Sequence, residues 1–290
     1  MADPSVPTVA DVLAVLRRAY PESTAQDWDA VGLVCGRPEA PAGTVLLAVD
    51  PVAAVVDEAV EAGAELLVVH HPLLLRGVTS VAADTAKGSA VTRLIEAGCA
   101  LYVAHTNADA ARRGVNEALA TALGLQDLRP LEPSSTDAST DIGRVGRLDP
   151  PTTLRSFAER VAQVLPATAQ GVRVAGDLDA QVRKVALCGG SGDSLFDAVR
   201  ASGADVYLTA DLRHHPASEA REQALLGGAG RPFLVDAAHW ASEWPWLEAC
   251  AELVRSVDGT TVAVSERCTD PWTARIDSPV PHRSPGGPRP

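Results

Sequence analysis

An internal repeat at a spacing of 140 residues constrains the fold of this chain more than any other feature of its sequence, since VLLAVD at residue 45 aligns with VALCGG at residue 185. The longer segment DEAVEAGAELLVV at 57 aligns with DAVRASGADVYLT at 197, and Gly36 aligns with Gly176. A repeat over several consecutive elements indicates an internal duplication. The chain is therefore predicted to fold as two related halves packed about a pseudo-twofold axis.

Strand and helix patterns alternate within each half. Short apolar runs such as TVLLAVD and ELLVV are typical of buried strands, while Thr8 is placed to cap a helix that extends to about Arg18. Glycines follow several of the helical segments, as they do at helix ends. Alternating strands and helices predict a mostly parallel sheet covered on both faces. The predicted fold class is α/β, with two similar α/β halves and a site in the cleft between them.

Changes in composition give the predicted boundaries. Residues 1–125 form the first half, and residues 126–141, rich in Pro, Ser and Asp, are predicted to be a linker. Residues 142–272 form the second half, whose last part, about 233–272, is expected to complete the shared site. The Pro/Gly-rich tail, residues 273–290, has too little apolar surface to order itself and is predicted to be disordered.

Composition excludes several classes of protein. The net charge of −12 argues against binding to nucleic acid, which needs a concentrated Lys/Arg surface. No apolar run reaches the roughly 18 to 20 residues of a membrane helix, and the N-terminus has no signal-peptide pattern. We expect a cytoplasmic protein with no membrane partner. The five cysteines include no CxxC pair, so neither a disulfide framework nor a thiolate zinc site is indicated.

Two adjacent histidines end one of the apolar strands. The run LLVV at 66–69 is followed directly by His70 and His71, and then by a proline. Adjacent strand residues point to opposite sides, so both polar rings must be satisfied near a dry core. In the other half of the repeat these positions hold Ala210 and Asp211. Taken alone, the histidine pair favours ligand binding no more than packing.

A His-x-x-x-acid pattern follows a strand in both halves and changes that balance. His105 and Asp109 follow ALYVA, whereas His239 and Glu243 follow RPFLVDAA. Ligands of open α/β sheets bind beyond the carboxyl ends of the strands, where all of these residues lie. Imidazoles and carboxylates without a thiolate suit Zn, Fe, Mn or Co. Together with the histidine pair, they predict a two-metal site with a bridging carboxylate and positions left open for water.

The glycine-rich segment LCGGSGDS, residues 187–194, has two interpretations. It either cradles an anion on backbone N–H groups or is only a tight strand-to-helix turn. The candidate anion-binding residues are Gly189, Gly190, Ser191 and Gly192. Cys188 beside them is either a nucleophile or a core thiol, and it has no basic neighbour in the sequence.

A second histidine pair occurs in TADLRHHPASEA, residues 209–220. It begins a predicted helix and does not end a strand. Asp211 and His215 are candidates for groups that orient a metal ligand or transfer a proton, and surface positions are the equal alternative.

The motifs in combination resemble those of the Nif-three-like dinuclear metal-centre proteins, which are also named GTP cyclohydrolase I type 2 homologues. The resemblance lies in DWDAVGLVCG, VVHHPLLLRG, AHTNADAARRGVNEALATALGL, VALCGGSGDSLFDAVRASGADVYLTADLRHHPASEA and DAAHWASE. These segments occur in the same order and extend over about residues 8–272. The short linker leaves no room for the domain that longer members carry between the halves.

The resemblance implies a toroidal homohexamer of chains with two similar α/β domains, and two divalent metal ions in the cleft between the domains. Its implied ligands are His70 and Asp109 for one ion, His71 and His239 for the other, and Glu243 as the bridge. His105 lies beside the metals as an outer or occasional ligand.

The predicted function is that of a metal-dependent hydrolase. A metal-bridging hydroxide would attack a small, anionic substrate, with a nucleotide as one option. The candidate catalytic residues are Glu243 as the bridge, and His215 or His105 for the proton. A GTP cyclohydrolase activity is implied by the resemblance alone. The alternative is a non-catalytic metal-binding oligomer that acts as a regulator, metal store or metal-insertion factor; it uses the same ligands, so the sequence does not separate the two.

Overall fold

Strands and helices alternate in both halves of the computed structural model, which describes residues 6–131, 142–227 and 230–277. The strands are β1 (Gly32–Cys35), β2 (Thr44–Ala48), β3 (Leu66–Val69), β4 (Ala100–Val103), β5 (Gln126–Pro130), β6 (Arg144–Thr153), β7 (Arg173–Ala175), β8 (Gln181–Ser191), β9 (Val206–Ala210), β10 (Phe233–Ala237) and β11 (Thr261–Val264). The helices are α1 (Val9–Ala19), α2 (Ala53–Glu61), α3 (Ala86–Glu96), α4 (Thr106–Ala110), α5 (Val115–Ala122), α6 (Leu154–Val164), α7 (Phe196–Ser202), α8 (His214–Leu226), α9 (His239–Glu243) and α10 (Trp246–Arg255).

Helix α1 shows how the sequence sets a local element. The side chain of Thr8 accepts a hydrogen bond from the backbone N–H of Asp11, and the backbone N–H of Thr8 donates to the Asp11 carboxylate at 2.9 Å. This reciprocal capping box satisfies two N–H groups that the helix leaves free. The helix then buries one apolar face, consisting of Val9, Val12, Leu13 and Leu16. The prediction from the sequence is confirmed here.

Four strands of each sheet follow the same order, β1-β4-β3-β2 in the first sheet and β7-β10-β9-β8 in the second. The first sheet is ordered β1-β4-β3-β2-β11, and the second is ordered β5-β6-β8-β9-β10-β7. The three central strands of each repeat are parallel, and β1 and β7 are antiparallel to their neighbours. Val45 is paired with Leu66, and Val185 is paired with Val206, so the register is preserved at the spacing found in the sequence. The predicted duplication and the α/β class are confirmed.

Strand β11 of the second half joins the first sheet, and strand β5 of the predicted linker joins the second sheet. β11, near the end of the chain, pairs in parallel with β2 of the first sheet. β5 follows the first half but pairs with β6 at the edge of the second sheet. The predicted linker is therefore a strand over Gln126–Pro130, and its residues 132–141 lie outside the described residues. Of the predicted disordered tail, residues 273–277 form neither helix nor strand, and residues 278–290 lie outside the described part.

Three clusters of buried apolar side chains fill the spaces between these layers. The central cluster joins one face of each sheet through α1, α5, α6 and α10, so both halves share one core. The opposite face of the first sheet packs against α2 and α3. The opposite face of the second sheet packs against α7 and α8. Alternate residues along each strand enter different clusters, as the period of two requires.

The helices of the described residues are short compared with a membrane-spanning helix. The longest helix in the described part of the chain is α8, with 13 residues. Within the described ranges, no helix is both long enough and apolar enough to cross a bilayer.

Candidate metal centre

The buried carboxylate of Glu243 lies at the centre of a cluster of imidazoles from both halves. Its Oε1 is 3.4 Å from Nε2 of His70 and 3.0 Å from Nε2 of His239. Its Oε2 is 3.1 Å from Nε2 of His71. The Oδ1 atom of Asp109 lies 3.7 Å from Nε2 of His70 on the other side. The carboxyl ends of β3, β4 and β10 thus bring together the residues that the sequence singled out.

The end of β3 allows both adjacent histidines to face this centre. The backbone N–H groups of His70 and His71 both donate to the carbonyl oxygen of Val49, at 3.1 and 2.9 Å. In a regular strand, successive N–H groups point in opposite directions. The pleat is therefore broken at this point, and the two ring centroids lie only 5.0 Å apart. Side chains that would diverge along a strand converge here.

Every histidine of the cluster is held through its Nδ1 atom. Nδ1 of His70 lies 2.9 Å from the carbonyl oxygen of Ala104. The other three rings each meet a carboxylate, in the pairs His71 with Asp50 at 2.7 Å, His105 with Asp29 at 2.8 Å, and His239 with Asp211 at 2.7 Å. An acceptor at Nδ1 draws the ring proton to that side and leaves the Nε2 lone pair free. This is the usual support of a metal-bound imidazole.

Three buried polar atoms at the centre have no hydrogen-bond partner in the described structure. They are Nε2 of His70, Oδ1 of Asp109 and Oε2 of Glu243. Buried polar groups without partners cost stability, so they are rare in native proteins. Ligand atoms of His70, His71 and His105 lie within 4.8 Å of one another, as do those of His71, His239 and Glu243. The donor set and the orphaned atoms both fit bound divalent metal ions.

Without a metal, protons neutralise the excess negative charge. Burial alone would lower the pKa of His71, but Glu243 and Asp50 raise it to about 10. Burial also opposes protonation of His239, whose pKa is raised to about 11 by Glu243 and Asp211. Burial raises the pKa of Asp109 to about 7, and Glu243 adds to this effect. The site therefore attracts positive charge strongly.

The carboxylate of Glu243 responds in the opposite direction. Burial alone would raise its pKa, but His71, His239 and His70 hold it well below its ordinary value. The carboxylate therefore stays ionised although only 3% of its side chain is exposed. An ionised, buried carboxylate with both oxygens directed at imidazoles is suited to bridge two cations.

The glycine-rich segment makes room for Glu243. β8 continues through Ser191, and Gly190 has a φ of +66°. A Cβ atom on Gly190 would lie 2.4 Å from Oε1 of Glu243 and 3.0 Å from Nε2 of His239. Only glycine provides both this backbone conformation and this close approach.

Two backbone N–H groups of the same segment bear on its interpretation as an anion cradle. The N–H of Gly189 donates to the side chain of Asn116 at 2.9 Å, and the N–H of Gly190 donates to Ser242 at 2.8 Å. Two of the four proposed N–H donors are thus already bonded inside the protein. Ser191 remains exposed at the cavity, and the carbonyl of Gly192 accepts a hydrogen bond from Tyr207.

Three other residues singled out in the sequence, Asp211, His215 and Cys188, differ in their distance from the site. The carboxylate of Asp211 is hydrogen-bonded to Nδ1 of His239 and so orients this ring, which is the role of a group behind a metal ligand and not that of an isolated surface residue. His215 is exposed on the first turn of α8 and is not among the residues that line the cavity at the described site. Its predicted catalytic role is therefore not supported. Burial, with the nearby Asp109 and Glu243, raises the pKa of the Cys188 thiol well above its ordinary value, which favours a core thiol over a nucleophile.

An open cavity of about 780 Å³ leads to the cluster. Its lining includes His71, His105, Asp109, His239 and Glu243, together with apolar side chains and the hydroxyls of serine and threonine. Small substrates bind in concave sites of this size. The arrangement places the candidate metal ligands at a cavity that a small molecule can enter.

Four residues that support the site were missed in the sequence. Asp29 and Asp50 hold imidazoles, and Asn116 and Ser242 hold the glycine-rich strand. Asp50 had a usable signal, because it follows the strand of VLLAVD as the other site residues follow theirs. Asn116 and Ser242 lie within or beside helical patterns that mark no function.

The comparison with known families agrees with these observations. A sequence profile of the family described as Duf34/NIF3 (NGG1p interacting factor 3) matches residues 7–271. The chain belongs to the Duf34/NIF3 family. This NIF3-family protein is 52% identical over 290 residues to a "GTP cyclohydrolase 1 type 2 homolog" of Streptomyces coelicolor, a match that covers 98% of this chain and 100% of the relative. A protein of the same name from Mycobacterium bovis is 37% identical, with coverage of 91% and 96%.

Solved structures resemble the fold of this NIF3-family protein. A Bacillus cereus protein related to NIF3 has a TM-score of 0.82 at 26% identity, and the match covers 92% of this chain and 99% of the other. A hypothetical protein of Staphylococcus aureus has a TM-score of 0.82 at 28% identity, with coverage of 94% and 100%. The family resemblance found in the sequence is confirmed.

Proposed function

We propose that this NIF3-family protein binds two divalent metal ions between its halves and uses them to hydrolyse a small substrate. One observation carries the proposal. The buried, ionised carboxylate of Glu243 faces three imidazoles whose Nδ1 atoms are all occupied, while buried ligand atoms around it lack partners. Imidazole and carboxylate donors without thiolate suit Zn, Fe, Mn or Co.

The proposed ligand assignment is the one that the family resemblance implies. In the proposal, His70 and Asp109 hold one ion, and His71 and His239 hold the other. Glu243 would be shared by both ions, since its carboxylate lies within 3.4 Å of an imidazole from each proposed pair of ligands. Ions held there would supply Lewis-acid activation of the substrate and of water.

His105 is the residue best placed to move a proton. Its ring lines the cavity, with 15% of the side chain exposed, and its Nδ1 atom is tied to Asp29. This leaves Nε2 as the atom that accepts or donates a proton at the substrate. Burial opposes ionisation of Asp29, but hydrogen bonds from His105 and Thr106 hold the pKa of Asp29 far below its ordinary value. A carboxylate that stays ionised fixes the imidazole in one tautomer.

Assembly and location belong to the same proposal. We also propose the toroidal homohexamer that the family resemblance implies, and the cytoplasmic location expected from the sequence. Light scattering of the purified protein should give a mass near six chains, and a clean monomer would contradict the assembly.

The decisive experiment combines metal analysis with a turnover screen on nucleotides and phosphoesters. Wild-type protein and the surface control Glu252→Gln, whose side chain is 59% exposed, should hold both ions and show the same activity. Glu243→Gln should lose metal and activity together, and His105→Asn should keep metal but lose turnover. Activity that survives in Glu243→Gln would overturn the hydrolase proposal. A silent screen with full metal occupancy would favour the non-catalytic metal-binding oligomer.

A further inference from the structure

Trp28 is an exposed aromatic side chain at the candidate site. Its side chain is 60% exposed, and it lines the same cavity as His71 and Glu243. Its ring meets that of His105 edge-on, with centroids 5.9 Å apart. An indole left in water forgoes the large stabilisation that its burial would give, so such a position calls for a partner.

The turn that carries Trp28 is fixed to the metal centre. The N–H of Gln26 donates to the hydroxyl of Thr106 at 2.9 Å, and the N–H of Asp29 donates to the carbonyl of Gln26 at 2.9 Å. Asp29 in turn bonds the ring of His105 and the N–H of Thr106. The backbone on both sides of the indole is therefore anchored to the start of α4, the helix that carries the candidate ligand Asp109. An aromatic surface held in advance binds a ring with little loss of entropy.

Other apolar side chains extend this surface. Pro72, Leu75, Ile142 and Leu195 line the same cavity, and Leu75 is 36% exposed. Together with Trp28, these residues give the cavity an apolar wall next to the imidazoles and carboxylates. Such a combination of flat apolar surface and few polar groups is typical of sites for small ring compounds.

The charges of the cavity disfavour a polyphosphate. Its lining within the described residues contains no lysine or arginine, whereas Asp109 and Glu243 supply carboxylates. Residues 132–141, outside that part, contain no lysine or arginine in the sequence either. Phosphate groups are usually held by guanidinium or ammonium groups. Phosphates beyond the reach of the metal ions would meet a chain of net charge −12, with no lysine or arginine among the described residues of the cavity lining.

We infer that the site takes a neutral or singly charged compound with a planar heteroaromatic ring, such as a nucleobase or nucleoside, stacked on Trp28. This inference rests on the proposed function and narrows its substrate class. It replaces the anionic substrate expected from the sequence. Stacking of a base on an aromatic side chain contributes enough that its loss weakens binding about ten-fold or more.

Calorimetric titration of the zinc-loaded protein tests this inference. Guanosine and adenosine should bind, free ribose should not, and magnesium-complexed GTP should bind no more tightly than guanosine. Trp28→Ala should weaken nucleoside binding about ten-fold or more, whereas Trp28→Phe should stay within about three-fold of wild type. The matched control Trp272→Ala removes an indole that is 66% exposed and should change nothing.

The outcomes separate this inference from the proposed function. Every variant is compared at equal zinc content and equal light-scattering mass. If Trp28→Ala with full zinc content binds nucleosides as the wild type does, the inference is overturned but the proposed function is not. The same holds if GTP binds ten-fold more tightly than guanosine. A change of mass in Trp28→Ala would show that the indole is a contact between chains, and would overturn it too. A wild-type protein that takes up no zinc overturns the proposed function instead.

Discussion

Replacing Gly190 by alanine should disable the metal centre while leaving the fold in place. The new Cβ atom would lie 2.4 Å from Oε1 of Glu243, where 3.4 Å or more is ordinary contact. The carboxylate must therefore move by about 1 Å, since overlapping atoms repel steeply. Glu243 is only 3% exposed and is enclosed by packed groups, so the movement takes it out of line with the imidazoles.

The magnitude has two parts. Alanine at a φ of +66° costs about 1 to 2 kcal/mol relative to glycine. Crowding of a packed site adds about 1 to 3 kcal/mol. The free energy of unfolding should fall by about 2 to 5 kcal/mol in total, which a chain of this size tolerates. Metal affinity should fall by about 100-fold or more, because disturbing even the groups behind a ligand costs about 10- to 100-fold.

Gly98→Ala is the matched control for the backbone term. Gly98 has a φ of +71°, and no atom lies within 4 Å of the position that an added methyl group would take, so alanine there adds strain without a clash. Urea unfolding of the metal-free proteins measures stability, and competition with a chromogenic chelator measures zinc affinity. Gly98→Ala should lose about 1 to 2 kcal/mol of stability and bind zinc normally. Equal zinc affinity in Gly190→Ala and wild type would refute the role assigned to this glycine.

Three further predictions concern the groups around the metal. Zinc binding at pH 8 should release about two protons, because His71 and His239 have pKa values of about 10 and 11 without metal and must be neutral to bind it. Titration calorimetry in buffers of different ionisation enthalpy counts these protons, and identical heats in all buffers would contradict the prediction. The hydroxyl of Thr269 donates to Asp50, which in turn holds the ring of His71. Thr269→Val should therefore weaken zinc binding about ten-fold, whereas Thr269→Ser should bind zinc as the wild type does. Equal zinc affinities in all three proteins would show that Thr269 does not support His71 through Asp50. Free zinc at about 1,000 times its Kd should stabilise the wild-type fold by about 4 kcal/mol, measured by urea unfolding, with no such gain in Glu243→Gln.

Local patterns predicted much of the fold because they report on local forces. The capping box at Thr8 and the apolar face of α1 form as the spacing predicted. The repeat predicted the duplication, and the pairing of β2 with β3 recurs in β8 with β9 at the same register. The pairing of β5 with β6 and of β11 with β2 was not predicted. A short polar or alternating segment carries no local signal that shows which distant strand it will pair with.

The candidate site divides in a similar way. Strand ends pointed to His70, His71, His239 and Glu243, and the structure places all three imidazoles within 3.4 Å of the Glu243 carboxylate. A second pair of adjacent histidines gave weight to His215, which is exposed on α8 and is not among the residues that line the cavity. Adjacent histidines look alike in the sequence, and only the direction of the chain after the strand separates a ligand from a surface residue.

The sequence by itself determined the duplicated α/β architecture, the helix caps and the set of side chains able to bind metal, since these follow from periodicity and residue chemistry. Tertiary structure alone decided how that set is used. It broke the pleat after β3 so that both histidines face Glu243, and it supplied Asp29 and Asp50 as partners for the rings. It also placed Gly190, in a segment that the sequence left as an anion cradle or a tight turn, against the carboxylate of Glu243. The physical reason is that contacts between distant segments depend on where the core places each backbone, which no local spacing records.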